Sequence, residues 1–170
     1  APVTGVPRSG WVYVGRFSPE KGLSQLLANW PMEGHPLSLI GDGPLWQSIQ
    51  SENRDRPGLD FLGRLSQDQT QSAIAASVGV VIPSRWAEGL PLVLGEALRA
   101  GTPVLARAGS SAADFIAQAG GGRVYESDEI IGEFLDSWRI ASSEARRVFD
   151  QHLSQATWVS GLERIYEQAS

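Results

Sequence analysis

The sequence has no cysteine, a single lysine and only two histidines among its 170 residues. The absence of cysteine excludes a disulfide framework, a thiolate metal site and a cysteine nucleophile. His35 and His152 are too isolated to form a metal-binding motif, so we expect no bound metal. No apolar run reaches the roughly 18 residues that a transmembrane helix needs. We therefore expect a cytoplasmic chain without a transmembrane segment, and leave open a peripheral position at the membrane through a further domain.

Positive charge is also scarce, and the formal net charge at pH 7 is −5. Proteins that bind nucleic acid normally carry a broad basic face, so this composition excludes nucleic acid as a partner. Any anion that the chain binds must be held by a few specific groups. The hydrophobic content of 42% is otherwise that of an ordinary globular protein.

Six short apolar runs alternate with helical patterns. The runs cover residues 11–15, 37–41, 59–63, 78–83, 103–106 and 123–125. The helical patterns cover 22–30, 44–53, 66–76, 91–100 and 111–119, and those after residue 127 cover 128–139, 142–153 and 156–168. Near-continuous apolar strands that alternate with helices predict a parallel sheet covered on both faces. The predicted fold class is α/β, a doubly wound, Rossmann-like parallel sheet of about six strands.

The length fits a single domain over residues 1–170. Residues 1–10 contain two prolines and two glycines without periodicity, which is typical of a linker end and indicates that the natural chain continues upstream. Residues 154–170 are expected to form a closing helix. Ser66 and Ser111 are each followed three residues later by an acceptor side chain, which predicts that both serines cap helices.

The loop after the first strand reads GRFSPEKG over residues 15–22 and contains the only lysine, Lys21. A dinucleotide site would have glycines here at G-x-G-x-x-G spacing. This loop instead offers Arg16 and Lys21, an arginine fork and a compact ammonium, both suited to phosphate. The alternative is that Lys21 is a solvated side chain at a helix start. The loop GDGP at 41–44 also lacks the dinucleotide spacing, and we interpret it as a tight turn.

The loop after the fourth strand reads PSRWAEGLPLVLGEA over residues 83–97. Glu88 precedes a helix that Pro91 opens, and Glu96 lies in the second turn of that helix. A glutamate among apolar neighbours requires hydrogen-bond partners, which a ligand diol would provide to Glu96. Glu88 alone is equally explained as an acidic residue at a helix N-terminus. Trp86 is better explained by plain packing than by ligand contact.

Backbone amides lie between these two glutamates. The N–H groups of Gly89, Leu90, Leu92 and Val93 belong to the turn before the helix and to its first turn. Such groups lack intrahelical acceptors and stand at the positive end of the helix dipole. They are a candidate phosphate site.

These two loops carry a family resemblance. The stretch PSRWAEGLPLVLGEALRAGTPVLA strongly resembles the C-terminal, donor-binding domain of retaining family 4 glycosyltransferases with the GT-B fold. Members of that family carry two glutamates spaced as Glu88 and Glu96 are, and a G-R-x-x-x-x-K-G loop like that at 15–22. The turn LSLIGDGPL, the strand LDFLGRL and the closing segment ATWVSGLERIY are similar to further family segments. The resemblance covers nearly the whole chain.

The resemblance implies a role for each matching residue. It assigns Gly15, Arg16 and Lys21 to the diphosphate of a nucleoside-diphosphate sugar. Glu88 is assigned to the donor sugar and Glu96 to the ribose hydroxyls. The residues assigned to the phosphate and sugar through the helix start are Gly89, Leu90, Pro91, Leu92 and Val93, and those assigned to the base are Arg64 and Leu65. Members often have G-G-x-x-E after the fifth strand, and the different sequence at 108–114 puts contacts from that loop in doubt.

The implied reaction is retaining transfer of a hexosyl group. Arg16 and Lys21, with Glu88, would form the catalytic set, because the diphosphate gains negative charge as the sugar departs. The sequence has no D-x-D metal signature, and no cofactor is implied. The N-terminal domain that binds the acceptor in this family, a glycan, lipid or small molecule, is not expected in these 170 residues. The isolated domain should therefore bind a nucleotide sugar without transferring it efficiently.

Two alternatives remain at the level of the sequence. One is another GT-B enzyme, such as a nucleotide-sugar epimerase or a phosphorylase. The other is a non-catalytic module that binds nucleotide or carbohydrate. Titration with nucleoside diphosphates would discriminate between these classes.

Overall fold

The computed structural model describes residues 7–31, 33–86 and 89–154. Its six strands are all parallel and form one sheet in the order β3-β2-β1-β4-β5-β6. They are β1 (Trp11–Val14), β2 (Leu37–Ile40), β3 (Leu59–Gly63), β4 (Gly79–Ile82), β5 (Val104–Arg107) and β6 (Gly122–Tyr125). This is the doubly wound strand order, and it confirms the predicted fold class.

Helices follow each strand in the described part of the chain. They are α1 (Leu23–Asn29), α2 (Trp46–Glu52), α3 (Gln67–Ala76), α4 (Leu92–Arg99), α5 (Ser111–Ala119), α6 (Ile131–Asp136) and α7 (Ser142–His152). Short 3-10 helices over Pro19–Lys21 and Asp128–Ile130 precede α1 and α6. The predicted closing helix at 156–168 and residues 1–6 of the predicted linker lie outside the described residues. None of the described helices has the length and apolar character needed to cross a bilayer.

Helices cover both faces of the sheet because successive strand side chains point to opposite sides. In β1, Trp11 and Tyr13 belong to a core cluster shared with α1, α2 and α6. Val12 between them belongs to a second cluster, shared with α3, α4, α5 and α7. All three side chains are buried, so apolar burial on two sides holds the sheet in place.

The serine caps were predicted with mixed success. Ser66 forms the expected capping box with Gln69, with backbone-to-side-chain hydrogen bonds of 3.0 and 3.2 Å in the two directions. The prediction for Ser111 was wrong by one residue, because the cap of α5 is Ser110, whose Oγ accepts from the N–H of Ala113 at 3.2 Å. Ser110 has the extended backbone that an N-cap needs, whereas Ser111 is already helical.

The helix predicted at 128–139 is shorter than expected. It divides into a 3-10 turn and α6, which ends at Asp136. Beyond that end, the indole N–H of Trp138 donates to the carbonyl of Val78 at 3.2 Å, and its ring lies 4.6 Å from that of Trp11. Tertiary packing of this tryptophan thus replaces the last helical turn.

The positions of α1 and α4 create an open crevice at the carboxyl ends of the two central strands. β1 and β4 are neighbours. The chain leaving β1 enters α1 on one face, while the chain leaving β4 enters α4 on the other. Loops that diverge in this way leave space at the carboxyl ends of the two strands, which is where doubly wound proteins bind ligands.

Candidate functional site

The loop after β1 packs directly against the end of β4. Its last residue, Gly22, has a left-handed backbone with φ of 71°. A Cβ atom at Gly22 would overlap with the carbonyl oxygen of Pro83. The N–H of Arg85 also reaches the carbonyl of Glu20 at 3.4 Å. Only glycine permits this approach, and the approach fixes the loop beside β4.

The same loop is held from its other side by the turn after β2. The N–H of Phe17 donates to the carbonyl of Asp42 at 2.9 Å, and the carbonyl of Phe17 accepts from the N–H of Leu45 at 2.9 Å. Gly41, with φ of 133°, lies so close that a Cβ atom there would overlap with the carbonyl oxygen of Gly15. The N–H of Trp46 donates to the carbonyl of Gly43 at 3.0 Å, which confirms the interpretation of this segment as a tight turn.

A cavity of about 500 Å³ opens between the ends of β1 and β4. It brings together nine of the twelve residues predicted for the site, from loops more than sixty positions apart in the sequence. These nine are Gly15, Arg16, Lys21, Gly89, Leu90, Pro91, Leu92, Val93 and Glu96. Arg16 is exposed, whereas Lys21 and Glu96 are half-buried.

A second cavity, of about 610 Å³, adjoins the first on the side of β2 and β3. Its lining includes Arg64 and Leu65, the two residues predicted to flank a base, together with Asp42 and Thr70. The two cavities share the segment from Val14 to Arg16. A ligand that lies across Arg16 could therefore occupy both.

The helix that borders the first cavity begins without a side-chain cap. Pro91 is the N-cap of α4 and has an extended backbone. It has no side-chain oxygen to accept from the first amides of the helix, unlike Ser66 before α3. The start of α4 therefore presents amide hydrogens and the positive end of a helix dipole to the cavity.

A carboxylate sits beside the two cations of the loop after β1. The hydroxyl of Ser18 donates to the carboxylate of Glu20 at 2.5 Å. This hydrogen bond, a further one to the backbone and the positive charges of Lys21 and Arg16 lower the pKa of Glu20 below its usual value. Glu20 is thus ionised at neutral pH and balances part of the positive charge of the loop.

The predictions for Glu88 and Trp86 are not confirmed by the structure. Glu88 lies outside the described residues. The expectation that Trp86 is a packing residue was wrong, because 67% of its surface is exposed. Leu90 and Leu92 are also exposed, so the loop after β4 presents apolar side chains outward at the rim of the cavity. The segment 108–114 lines neither of the two cavities.

Sequence reasoning missed Tyr13 and Thr70, which line the first and second cavity respectively. The role of Tyr13 in the cavity could not be recognised, because the residue fits the apolar pattern of β1. The one available signal was its hydroxyl, since a buried phenol normally requires a hydrogen-bond partner near the end of its strand. Within the described residues, no group of three or more potential ligands could hold a metal ion.

Sequence comparison assigns the chain to a family. The family described as "Glycosyl transferases group 1" matches residues 10–146. The chain is 26% identical over 169 residues to an uncharacterized glycosyltransferase of Methanocaldococcus jannaschii, covering 94% of this chain and 48% of that protein. It is 32% identical over 176 residues to a glycogen synthase of Thermus thermophilus, covering 98% of this chain and 40% of that enzyme. The chain belongs to the group 1 glycosyltransferases, and it spans less than half the length of these two relatives.

Solved structures of glycosyltransferases share the fold. The sucrose-phosphate synthase of Thermosynechococcus elongatus superposes with a TM-score of 0.76 at 20% identity, covering 97% of this chain and 46% of that one. Anabaena HepE in complex with UDP superposes with a TM-score of 0.75 at 18% identity, covering 95% of this chain and 49% of that one. The six-stranded sheet is thus the Rossmann-like domain found in glycosyltransferases of the GT-B fold.

Proposed function

We propose that this chain is the donor-binding domain of a retaining hexosyltransferase of family 4, and that it binds a nucleoside-diphosphate sugar without a metal ion. The observation that carries the proposal is the convergence of Arg16, Lys21, Glu96 and the uncapped start of α4 on one cavity. HepE, which shares the fold, has been solved with UDP and with UDP-glucose.

The two cavities suggest how the donor lies. The diphosphate is proposed to sit beside Arg16 and Lys21 and at the amides that begin α4, where positive charge is concentrated. Glu96, half-buried in the same cavity, would accept hydrogen bonds from the ribose hydroxyls. The base would enter the adjoining cavity, which Arg64 and Leu65 line.

The sugar is assigned to Glu88. This role is a proposal based on the spacing of Glu88 and Glu96 in the sequence, since Glu88 lies outside the described residues. The sugar would lie near the exposed rim formed by Leu90 and Leu92.

The proposed catalytic role of the cations follows from where charge appears. When the bond between sugar and diphosphate breaks, the leaving oxygen gains negative charge. Two opposite unit charges about 4 Å apart attract by about 4 kcal/mol at an effective dielectric constant of 20. Arg16 and Lys21, held in place before the reaction, could therefore supply the stabilisation that a divalent cation supplies elsewhere.

Acceptor binding is proposed to lie on another domain. The chain spans 48% and 40% of the two relatives described above, so more than half of a comparable enzyme lies outside this chain. We propose that this part binds a glycan, lipid or small-molecule acceptor and that the chain alone binds the donor without efficient transfer. A cytoplasmic location is proposed from the absence of cysteine.

Calorimetric titration of the chain with UDP, GDP and ADP, each with EDTA and with Mg²⁺, tests the proposal. We expect at least one nucleoside diphosphate to bind in EDTA, with little gain from Mg²⁺. Failure of all three to bind under both conditions would contradict a donor site. Binding that requires Mg²⁺ would remove the leaving-group role proposed for Lys21 while leaving the donor site intact.

A further inference from the structure

The phenol of Tyr13 lies beneath the loop that carries both cations. Its side chain is 3% exposed, and its hydroxyl donates to the carbonyl of Arg16 at 2.9 Å. The ring passes under Gly15, where a Cβ atom would stand only 2.9 Å from the hydroxyl oxygen. Gly15 therefore leaves the space through which Tyr13 reaches Arg16.

The hydrogen bond from Tyr13 continues along the loop. The carbonyl of Arg16 also accepts from the N–H of Ser18 at 3.1 Å, and the carbonyl of Ser18 accepts from the N–H of Lys21 at 3.1 Å. The turn from Arg16 to Lys21 is thus one connected unit, and Tyr13 ties its first residue to the core. An edge-on contact of 5.8 Å with the ring of Phe17 supports the same turn.

Burial and the nearby charge of Glu20 raise the pKa of Tyr13 above its ordinary value. The phenol is therefore protonated at neutral pH and can donate its hydrogen bond to the carbonyl of Arg16.

From this arrangement we infer that Tyr13 is a positioning residue for the diphosphate, which acts by holding Arg16 and Lys21 in one fixed geometry. The inference rests on the proposed function. A loop that becomes ordered only when the ligand binds loses conformational entropy, and this loss reduces affinity. Charged groups that are already held in place avoid that loss. Tyr13 provides that order from within the core without an added charge.

Tyr13→Phe is the decisive substitution. It removes the hydroxyl and keeps the ring, and the carbonyl of Arg16 keeps its bond from Ser18. Because one net hydrogen bond contributes modestly, we expect the Kd for UDP to rise about threefold to tenfold. The Kd for uridine, which has no phosphate, should not change.

A matched control is available in Tyr125. This second buried tyrosine ends β6, on the far side of β5 from β4, and its side chain is fully buried. Tyr125→Phe should leave the Kd for UDP unchanged. An equal loss in both variants would show a general effect of removing a buried hydroxyl and would overturn the inference.

A double-mutant cycle separates positioning from stability. If Tyr13 acts through Arg16, then Tyr13→Phe should weaken UDP binding much less in an Arg16→Ala background than in the parent chain. Independent, multiplicative losses, or an unchanged Kd for UDP in Tyr13→Phe alone, would contradict the inference. If the parent chain bound neither UDP, GDP nor ADP, the proposed donor site itself would fail, so the two failures are distinguishable.

Discussion

Individual side chains of the cavity make separable contributions to the proposed site. Glu96 and Lys21 are both half-buried and line the same cavity, but they are assigned to different parts of the ligand. A carboxylate recognises hydroxyl donors, whereas an ammonium recognises phosphate oxygens. Substitutions at these two positions should therefore respond to different changes in the ligand.

Glu96→Gln is expected to weaken binding of UDP strongly. A charge-assisted hydrogen bond contributes about 1.5–3 kcal/mol, and a neutral amide retains only part of it. The affinity for the 2′,3′-dideoxy analogue of UDP should change little, because that ligand lacks both hydroxyls. Calorimetry with the two ligands measures the difference, and equal losses would identify Glu96 as a structural residue. Glu52→Gln, at an exposed position that ends α2, serves as the control.

Lys21→Ala in the full-length enzyme is expected to lower kcat by at least about tenfold, because 1.36 kcal/mol of lost transition-state stabilisation gives that factor. Arg16→Ala should behave similarly. Lys21→Arg should restore activity only in part, since a planar guanidinium does not reproduce a compact ammonium.

Steady-state kinetics of these variants separates chemistry from binding. Arg54→Ala removes an exposed arginine that lines neither cavity and should leave kcat unchanged. If Lys21→Ala retained both the normal kcat and the normal donor KM, Lys21 would be the solvated surface lysine of the alternative interpretation.

The loop after β1 is a single element that lies between the turn after β2 and the end of β4. Its start is bonded to the turn after β2, and its end is pressed against β4. Because both attachments use close backbone approach, the loop tolerates side-chain changes better than changes in backbone shape.

Gly22→Ala tests this element. The new methyl group would meet the carbonyl of Pro83 and would also need a left-handed backbone, so we expect a loss of about 2–4 kcal/mol in the free energy of unfolding. Gly34→Ala is the matched control, because Gly34 has φ of 83° but no atom within 4 Å of its Cβ position. Urea denaturation of both variants should show a clearly smaller loss for Gly34→Ala. Equal losses would mean that the approach to β4 contributes nothing.

Local elements of the fold were predictable because their signals are local. The capping box at Ser66 depends on residues three positions apart, and the strands depend on short, mostly apolar runs of three to six residues. The end of α6 was not predictable, since it depends on Trp138 docking onto Val78 sixty positions away. The prediction for Trp86 was wrong for the same reason. The burial of a side chain depends on which residues pack against it, and a local stretch of sequence does not identify those residues.

The candidate site was predictable to a different extent. The motif residues Arg16, Lys21 and Glu96 could be named from their loops, and the structure brings all three to one cavity. The support from Tyr13 could not be predicted, because a strand tyrosine that faces the core gives the same pattern whether or not its hydroxyl reaches a loop.

The described residues form one sheet whose two faces are covered by helices, with a crevice at the carboxyl ends of the central strands. The chain spans less than half the length of the two matched relatives, and the exposed side chains of Leu90 and Leu92 line the crevice. We therefore propose that transfer requires the complete enzyme, in which this domain binds the donor and another domain binds the acceptor.

The pairing of β1 with β4 also determines when this crevice can come into existence. Trp11 pairs with Gly79, and a Cβ atom on Gly79 would lie only 2.5 Å from the ring of Trp11. On the ribosome, β1, β2 and β3 emerge before β4 and can associate, whereas β4, the partner on the other side of β1, follows only after α1, α2 and α3. Contacts between such distant residues form slowly because a long loop must close first. The two halves of the crevice are thus synthesised seconds apart at about 5–20 residues per second, and the nucleotide proposed for this site could stabilise the nascent chain only after β1 and β4 have paired.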